Sequence, residues 1–322
     1  WLSQTRQYLE RPIIMFGYSF GELGSIFAMQ GFAGLILFSV FTLMALGLAI
    51  IFGQLGVINM AHGEFMMIGM YVTYVISKLF ANYLPGLFGI YFFVAMGVAF
   101  LVTAALGAFV EWAMIRHLYR RPLDTLLATW GLSLILQQSI RVVFGPREVG
   151  VVKPDWMMGA VKLSDLIDVQ IYGIVVILIT IGLTVGVMYM MLKSMWGKHV
   201  RAVVQNREMA SAVGINTARV DRMTFAVGCG IAGIAGSAFT MISSTAPDAG
   251  QHYIVDTFMV VVFGGAASLW GTVASAFMIS MAQSTLEFFM TGSIAKVITL
   301  LAVIGILMIR PQGLFSLKIR SR

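Results

Sequence analysis

The sequence predicts an all-α polytopic integral membrane protein. Of its 322 residues 59% are hydrophobic and only 11% are charged, roughly half the charged share of an ordinary soluble domain. Several apolar runs reach about 20 residues, the length that crosses a hydrocarbon core at 1.5 Å per helical residue. The run "IYGIVVILITIGLTVGVMYMML" (171–192) is continuous, whereas a transmembrane β-barrel would show short alternating segments.

Taken in order, the chain opens with a segment, 1–30, whose first dozen residues are polar and do not resemble a signal peptide. Residues 12–30 read as an interfacial helix or a poor tenth span. Spans are expected near 31–53, 59–80, 90–115, 123–144, 170–192, 223–245, 255–268, 271–291 and 294–310, about nine, with eight to ten allowed. The seventh is too short to cross and reads as a half-helix. A single membrane domain thus covers 31–315, followed by a tail at 316–322. Phe52-Gly53 and Phe263-Gly264 hint at an internal repeat too faint to build on.

Lys and Arg concentrate in a few loops. Arg116, Arg120 and Arg121 lie between the third and fourth spans. Lys193, Lys198, Arg201, Arg207, Arg219 and Arg222 lie in 193–222, and Arg310, Lys318, Arg320 and Arg322 near the end. The stretch 145–168 mixes both signs, and 246–256 has neither Lys nor Arg. The first set is therefore cytoplasmic and the second external, and parity leaves the N-terminus outside. The same distribution accounts for the net charge of +7, so the charge points to membrane orientation and lipid, with no nucleic-acid partner.

Several chemistries are excluded. There is no GxxxxGK[ST] phosphate loop. Cys229 is the one cysteine and sits between Gly228 and Gly230 in an apolar run, so it reads as packing. The four histidines (His62, His117, His199, His252) fall in different segments without paired spacing. No haem, metal or other cofactor is expected, and the abundant Met, including Met66, Met67 and Met70, reads as flexible packing.

Three stretches break the apolar pattern. In "INMAHGEFMMIGM" (58–70) an amide, an imidazole and a carboxylate crowd together. The uncharged reversal before it, "QLGVI", suits a turn at membrane depth whose backbone is satisfied by protein or a watery cavity. Asn59 reads as an N-cap, which places His62 and Glu64 in the first turn, where a carboxylate suits the helix dipole. Asn59, His62, Met66, Gly69 and Thr73 share one face. Glu64 lies roughly 200° from His62, so the two cannot face one pore. His62 is expected on a solute path and Glu64 as a brace; the competing reading is that all three polar residues only cap and anchor the helix.

In "DTLLATWGLSLILQQSIR" (124–141) Thr125, Thr129, Ser133 and Gln137 recur every four residues, with Gln138 and Arg141 beyond them. These neutral donors and acceptors suit an uncharged polar solute, or else hydrogen-bond one helix to another. Thr129, Ser133, Gln137, Gln138 and Asn59 complete the expected path. The small-residue stretch "FGGAASLWGTVASAF" (263–277) allows close helix approach, and broken helices often mark a transport site.

The third is the cytoplasmic loop. Ala202, Asn206, Met209, Ala210 and Val213 are placed on one small or apolar face, with Gly214 as the stop. Such a helix docks in a groove of another protein or lies in lipid headgroups; its weak hydrophobicity favours docking.

"Glu208-Met209-Ala210-Ser211-Ala212-Val213-Gly214" resembles the E-A-A-x-x-x-G coupling motif of ABC importers, with Met209 in place of the first alanine. "GVINMAHGEFMMIGMYVTY" (56–74) resembles the branched-chain amino acid permease family of the LivH type. "RPLDTLLATWGLSLILQQSIRVVFG" (121–145), "SMWGKHVRAVVQNREMASAVGIN" (194–216) and "RPQGLF" (310–315) are similar to the urea permease branch of that family, the UrtB type. The likeness runs from about 31 to 315. It implies a permease of an importer in the bacterial plasma membrane, working by alternating access. The partners it implies are a second permease of the UrtC or LivM kind, two cytoplasmic ATPases and an extracytoplasmic solute-binding protein. ATP hydrolysis would belong to the partners. Arg207, Glu208, Met209, Ala210, Gly214, Ile215 and Asn216 would form the ATPase contact. Urea is the expected solute and a branched-chain amino acid the alternative; a zwitterion would ask for charge partners that the second stripe mostly lacks. A transporter or channel independent of ATP would not need the docking helix.

Overall fold

The computed structural model describes residues 20–315 other than 120, 165, 166 and 267. The N-terminal segment up to residue 19, Arg120 and the tail from residue 316 lie outside the described residues. Eleven α-helices and one hairpin follow in order among the described residues. They are α1 (Phe20–Leu55), α2 (His62–Tyr83), α3 (Tyr91–Ala113), α4 (Pro122–Phe144), β1 (Ala160–Ser164), β2 (Ile167–Gln170), α5 (Ile171–Lys193), α6 (Met195–Gln205), α7 (Arg207–Ala212), α8 (Thr217–Phe239), α9 (Ala249–Gly264), α10 (Leu269–Phe289) and α11 (Gly292–Ile309).

Seven of these segments are long and apolar enough to cross a membrane: α1 to α5, α8 and α11. Expectation and structure part in instructive places. The first span is the end of a 36-residue helix, about 54 Å long at 1.5 Å per residue. From Phe20 onward the segment expected as a separate interfacial helix is therefore continuous with it. No proline interrupts the run, and it stops where Gly56 takes φ 67 and donates to the Phe52 carbonyl at 3.0 Å.

The sixth span begins at Thr217 rather than 223, because Asn216 Oδ1 accepts from the Arg219 amide at 3.0 Å and caps the helix there. The short seventh segment runs Ala249–Gly264 rather than 255–268, a helix of 16 residues. Gly265, at φ 90, ends it. The eighth, α10, has 21 residues but is less apolar, since it buries Gly271, Thr272, Ser275, Ser280, Gln283 and Ser284 against protein rather than presenting them to lipid. A hairpin not foreseen spans 160–170, with Val161 opposite Val169 and Lys162 opposite Asp168.

At the centre stands α8, packed along α1, α2 and α3. Its glycines permit backbone contact with neighbours: a Cβ on Gly233 would collide with the Thr103 side chain, and one on Gly69 would collide with the Gly233 carbonyl. Cys229, fully buried, fills the space beside Gly107, as expected of a packing residue. The main core joins Leu43, Met44, Phe65, Met66, Met70, Phe92 and Phe225. A second, around Phe41, Leu48, Val260, Phe263 and Ile279, ties α1 to α9 and α10.

The loops sort by charge as expected. Tyr119, Arg207, Asp221 and Arg222 meet at one end of the bundle. At the other end Val149 pairs with Thr245, and Met29 of α1 shares a cavity with Glu148 and Asp168. The N-terminal end of α1 thus lies with the loops assigned to the outside.

Candidate functional site

Three polar clusters stand out, at mid-bundle, at the basic end and at the opposite end.

At mid-bundle, α2 begins at His62, later than the expected 59. Asn59 does not cap it: its Oδ1 accepts from the Ala61 amide at 3.1 Å, a local turn two residues long that precedes the helix. Glu64, in the first turn as expected, is 1% exposed. Its Oε1 accepts from Ser133 Oγ at 2.9 Å and from Gln137 Nε2 at 2.8 Å. Thr129 Oγ1 accepts from the Met60 amide at 3.1 Å, and Thr125 Oγ1 donates to the Leu118 carbonyl at 2.9 Å. The α4 stripe is therefore buried on one side of a helix otherwise open to its surroundings, and it bonds that helix to the start of α2.

Gln138 is exposed: one residue beyond Gln137 is 100° round the helix, so it leaves the stripe. His62 is fully buried on the opposite side from Glu64, its Nε2 meeting the Met44 carbonyl at 3.2 Å and its ring beside Gly47. The predicted separation of the two is thus present. The bracing contact to α1 falls to His62, while Glu64 binds the stripe expected on the path. Buried atoms here remain without a partner: Asn59 Nδ2, His62 Nδ1, Glu64 Oε2 and the Tyr71 hydroxyl.

At the basic end the loop is two helices rather than one. Ser194 caps α6 by accepting from the Gly197 amide at 3.0 Å, and Asn206 caps α7 by accepting from the Met209 amide at 2.9 Å. The extended backbone of Asn206 separates Ala202 from Met209, so the single face expected from Ala202 to Val213 does not form. Gly214 ends α7 at φ 88. Its amide donates to the Ser211 carbonyl and the Ile215 amide to the Ala210 carbonyl, each at 3.0 Å, a paired closure of a helix end that needs a left-handed residue. Val200, Val203, Ala210 and Val220 form a small core beneath, with Trp196 and Ile215 against it. Met209 and Val213 stand out, 63% and 74% exposed; Glu208 and Asn216 are exposed beside them.

Arg207 turns inward. It pairs with the fully buried Asp221 and lies 5.4 Å from the Tyr119 ring centroid. Next to it Arg222 Nε pairs with Glu111 at 3.2 Å, and the Tyr119 hydroxyl donates to Glu111 Oε1 at 3.1 Å. Burial, with Asp221 and Glu111 close by, pushes the Tyr119 phenol upward. Sequence reasoning missed Glu111, Tyr119 and Asp221. The signal was a single carboxylate at the end of the apolar run 91–113, since an ionisable group within a span seldom lacks a partner.

At the opposite end a cavity of about 920 Å³ opens among α1, β2, the end of α8, α9, α10 and α11. Carboxylates of Glu148, Asp168, Asp248 and Glu287 line it, with Lys296, His252 and Gln283. Phe32, Ile36, Val40 and Phe239 give it apolar walls. None of the residues expected on a solute path lines it: His62, Thr129, Ser133 and Gln137 are held in contacts with neighbouring segments, Asn59 bonds locally to the Ala61 amide, and Gln138 faces away. The cavity draws on residues far apart in the chain, so no local pattern announces it. No group of three or more His, Cys, Asp or Glu side chains among the described residues is arranged to hold a metal ion.

Comparison with known proteins gives a consistent family. A family model described as branched-chain amino acid transport system / permease component matches residues 31–309. The high-affinity branched-chain amino acid transport system permease protein LivH of Escherichia coli is 28% identical over 304 residues, covering 90% of this chain and 96% of its own. BraD, the corresponding permease protein of Pseudomonas aeruginosa, is 24% identical over 291 residues, 88% of this chain and 94% of its own. A probable LivH of Methanocaldococcus jannaschii is 24% identical over 311 residues, 91% of this chain and 93% of its own. No solved structure gives a significant match.

Proposed function

The chain belongs to the branched-chain amino acid transport system permease family, and from that premise we propose that it is one of two membrane subunits of an ATP-driven importer in the bacterial inner membrane. The observation that carries the reading is the anchored knob at the basic end. A helix presenting Met209 and Val213 to solvent is fastened below by the Ala210 core and by Arg207–Asp221. An apolar, rigidly held projection of this kind suits a groove on another protein. Two ATPase subunits would engage it, and their closure on ATP would shift this chain against its permease partner. A solute-binding protein would deliver cargo to the opposite end. Arg207 serves as the anchor of that contact; Glu208, Met209 and Gly214 to Asn216 supply its surface.

The solute favoured by the names of the relatives is a branched-chain amino acid, and the cavity supports it by offering carboxylates for an ammonium beside apolar walls for an aliphatic side chain, which the α4 stripe alone does not. Urea is retained as a second reading on a specific observation: residues 121–145 and 194–216 resemble the urea branch of the family. The test is competition uptake in cells carrying the complete transporter. Labelled leucine displaced by excess leucine and not by urea supports the first reading, and the reverse supports the second. Uptake that persists when the ATPases are deleted would overturn the importer itself.

A further inference from the structure

We propose that the cavity between α1, α9, α10 and α11 is a recognition chamber that reads the N–H groups of the imported solute. The inference rests on the importer reading and adds to it where, and by what chemistry, the cargo is recognised.

Several donors in the lining are committed to protein acceptors. Lys296 Nζ lies 2.6 Å from Asp256 and 3.4 Å from the His252 carbonyl, and 5.3 Å from the centroid of the Tyr253 ring. Gln283 Nε2 donates to Glu287 Oε1 at 3.1 Å, Ser284 Oγ to the Gln30 carbonyl at 2.7 Å, and Ser244 Oγ to Glu148. The His252 ring stands 3.8 Å from Asp248. Acceptor capacity stays open beside them. Gln283 is 4% exposed, lies in the cavity wall, and its Oε1 has no partner. Around the same space stand the carboxylates of Asp248, Asp168 and Glu148, each able to accept more than one hydrogen bond.

A buried acceptor without a donor is costly unless something fills it. A chamber so arranged favours a guest rich in N–H. Its volume of about 920 Å³ falls in the range of small-molecule sites. Phe32, Ile36, Val40 and Phe239 can cover aliphatic carbon beside the polar group. Two solutes supply the same chemistry: the ammonium of an aliphatic amino acid and the paired amide N–H groups of urea. Neither needs a covalent step.

The test uses the complete transporter in proteoliposomes with its solute-binding protein. Labelled leucine and labelled urea form two arms, and N,N,N-trimethyl-leucine and tetramethylurea, which lack every N–H on the recognised group, are the competitors. Gln283→Leu removes the orphaned acceptor; Asp248→Asn, at a half-exposed position, is the isosteric second variant in case the first disturbs folding. The expected result is that both variants lower transport at least about tenfold, the scale of losing a hydrogen bond to a charged partner, while the complex assembles in wild-type amount. The methylated compounds should not compete. The arm that responds identifies the source of the N–H groups. Variants that import at the wild-type rate, or methylated solutes that compete as well as the parent, overturn the chamber while leaving the importer standing. A defect rescued by more binding protein assigns the cavity to docking that partner and overturns the proposal. Import of neither solute by the unaltered transporter overturns the reading of function first.

Discussion

At the scale of single residues, Glu64 decides between two accounts of the α4 stripe. If Ser133 and Gln137 lined a watery passage, each would trade its bond to Glu64 for one to water, and losing either would cost little. In the structure both donate to one oxygen of a carboxylate that is 1% exposed, so each supports the other. Ser133→Ala and Gln137→Leu are therefore expected to be coupled through Glu64. A double-mutant cycle of Gln137→Leu with Glu64→Leu should give about 1 to 2 kcal/mol, within the upper range for hydrogen bonds between membrane helices. Unfolding of the purified chain in mixed micelles measures it. Strictly additive losses would show that the pair is not in contact and return these side chains to the solvent of a passage.

At the scale of elements, the basic end shows how a loop of unremarkable composition becomes a defined surface. Each of its helices starts on a polar cap, Ser194, Asn206 or Asn216, and α7 closes on Gly214. These caps were readable residue types, and Gly214 was placed correctly as a stop. The break at Asn206 was not legible, because the pattern from Ala202 to Val213 fits one helix as well as two, and only the extended backbone at Asn206 separates them. Arg207 holds the knob to Asp221 of α8, beside the Glu111–Arg222 pair that ties α3 to α8, and removing either arginine leaves a buried carboxylate uncompensated. The outward surface, by contrast, bears no stability. Val213→Asp is expected to leave the chain in the membrane in wild-type amount while co-purification with the ATPases falls at least about tenfold, the loss of an apolar anchor at a contact centre. Gly214→Trp should have the same effect, because φ 88 disfavours any side chain by about 1 kcal/mol or more. Pull-down through a tag on either ATPase reads both, and wild-type recovery of either variant would remove α7 from the contact.

At the scale of the molecule, what hydropathy revealed and what it concealed have one cause. Segments facing lipid carry long apolar runs, so α3, α4, α5 and α11 were located within a few residues. Segments surrounded by protein need not be apolar, so α8 could begin six residues early with polar turns, α9 could start among Gly250, Gln251 and His252, and α10 could fill one face with Ser and Thr. The cavity, drawn from separate helices, had no local signature at all. The same division governs the glycines. Gly182, on α5, would find nothing within 4 Å of an added Cβ, whereas Gly233, on α8, holds its backbone against both the Ala99 carbonyl and Thr103 of α3, and against Gly69 of α2. Gly182→Leu is thus expected to be tolerated in a segment that faces outward, and in a helix already apolar it adds no polar burden. Gly233→Leu must push α3 off the central helix. Overpacking alone costs about 1 to 3 kcal/mol, and here a β-branched Thr103 and the Ala99 carbonyl, which cannot change rotamer, leave little room to yield. Gel filtration of the detergent-extracted chain should return a monodisperse peak for the first variant and aggregate or no protein for the second. Equal peaks would mean that α8 is not the post around which the other spans are assembled.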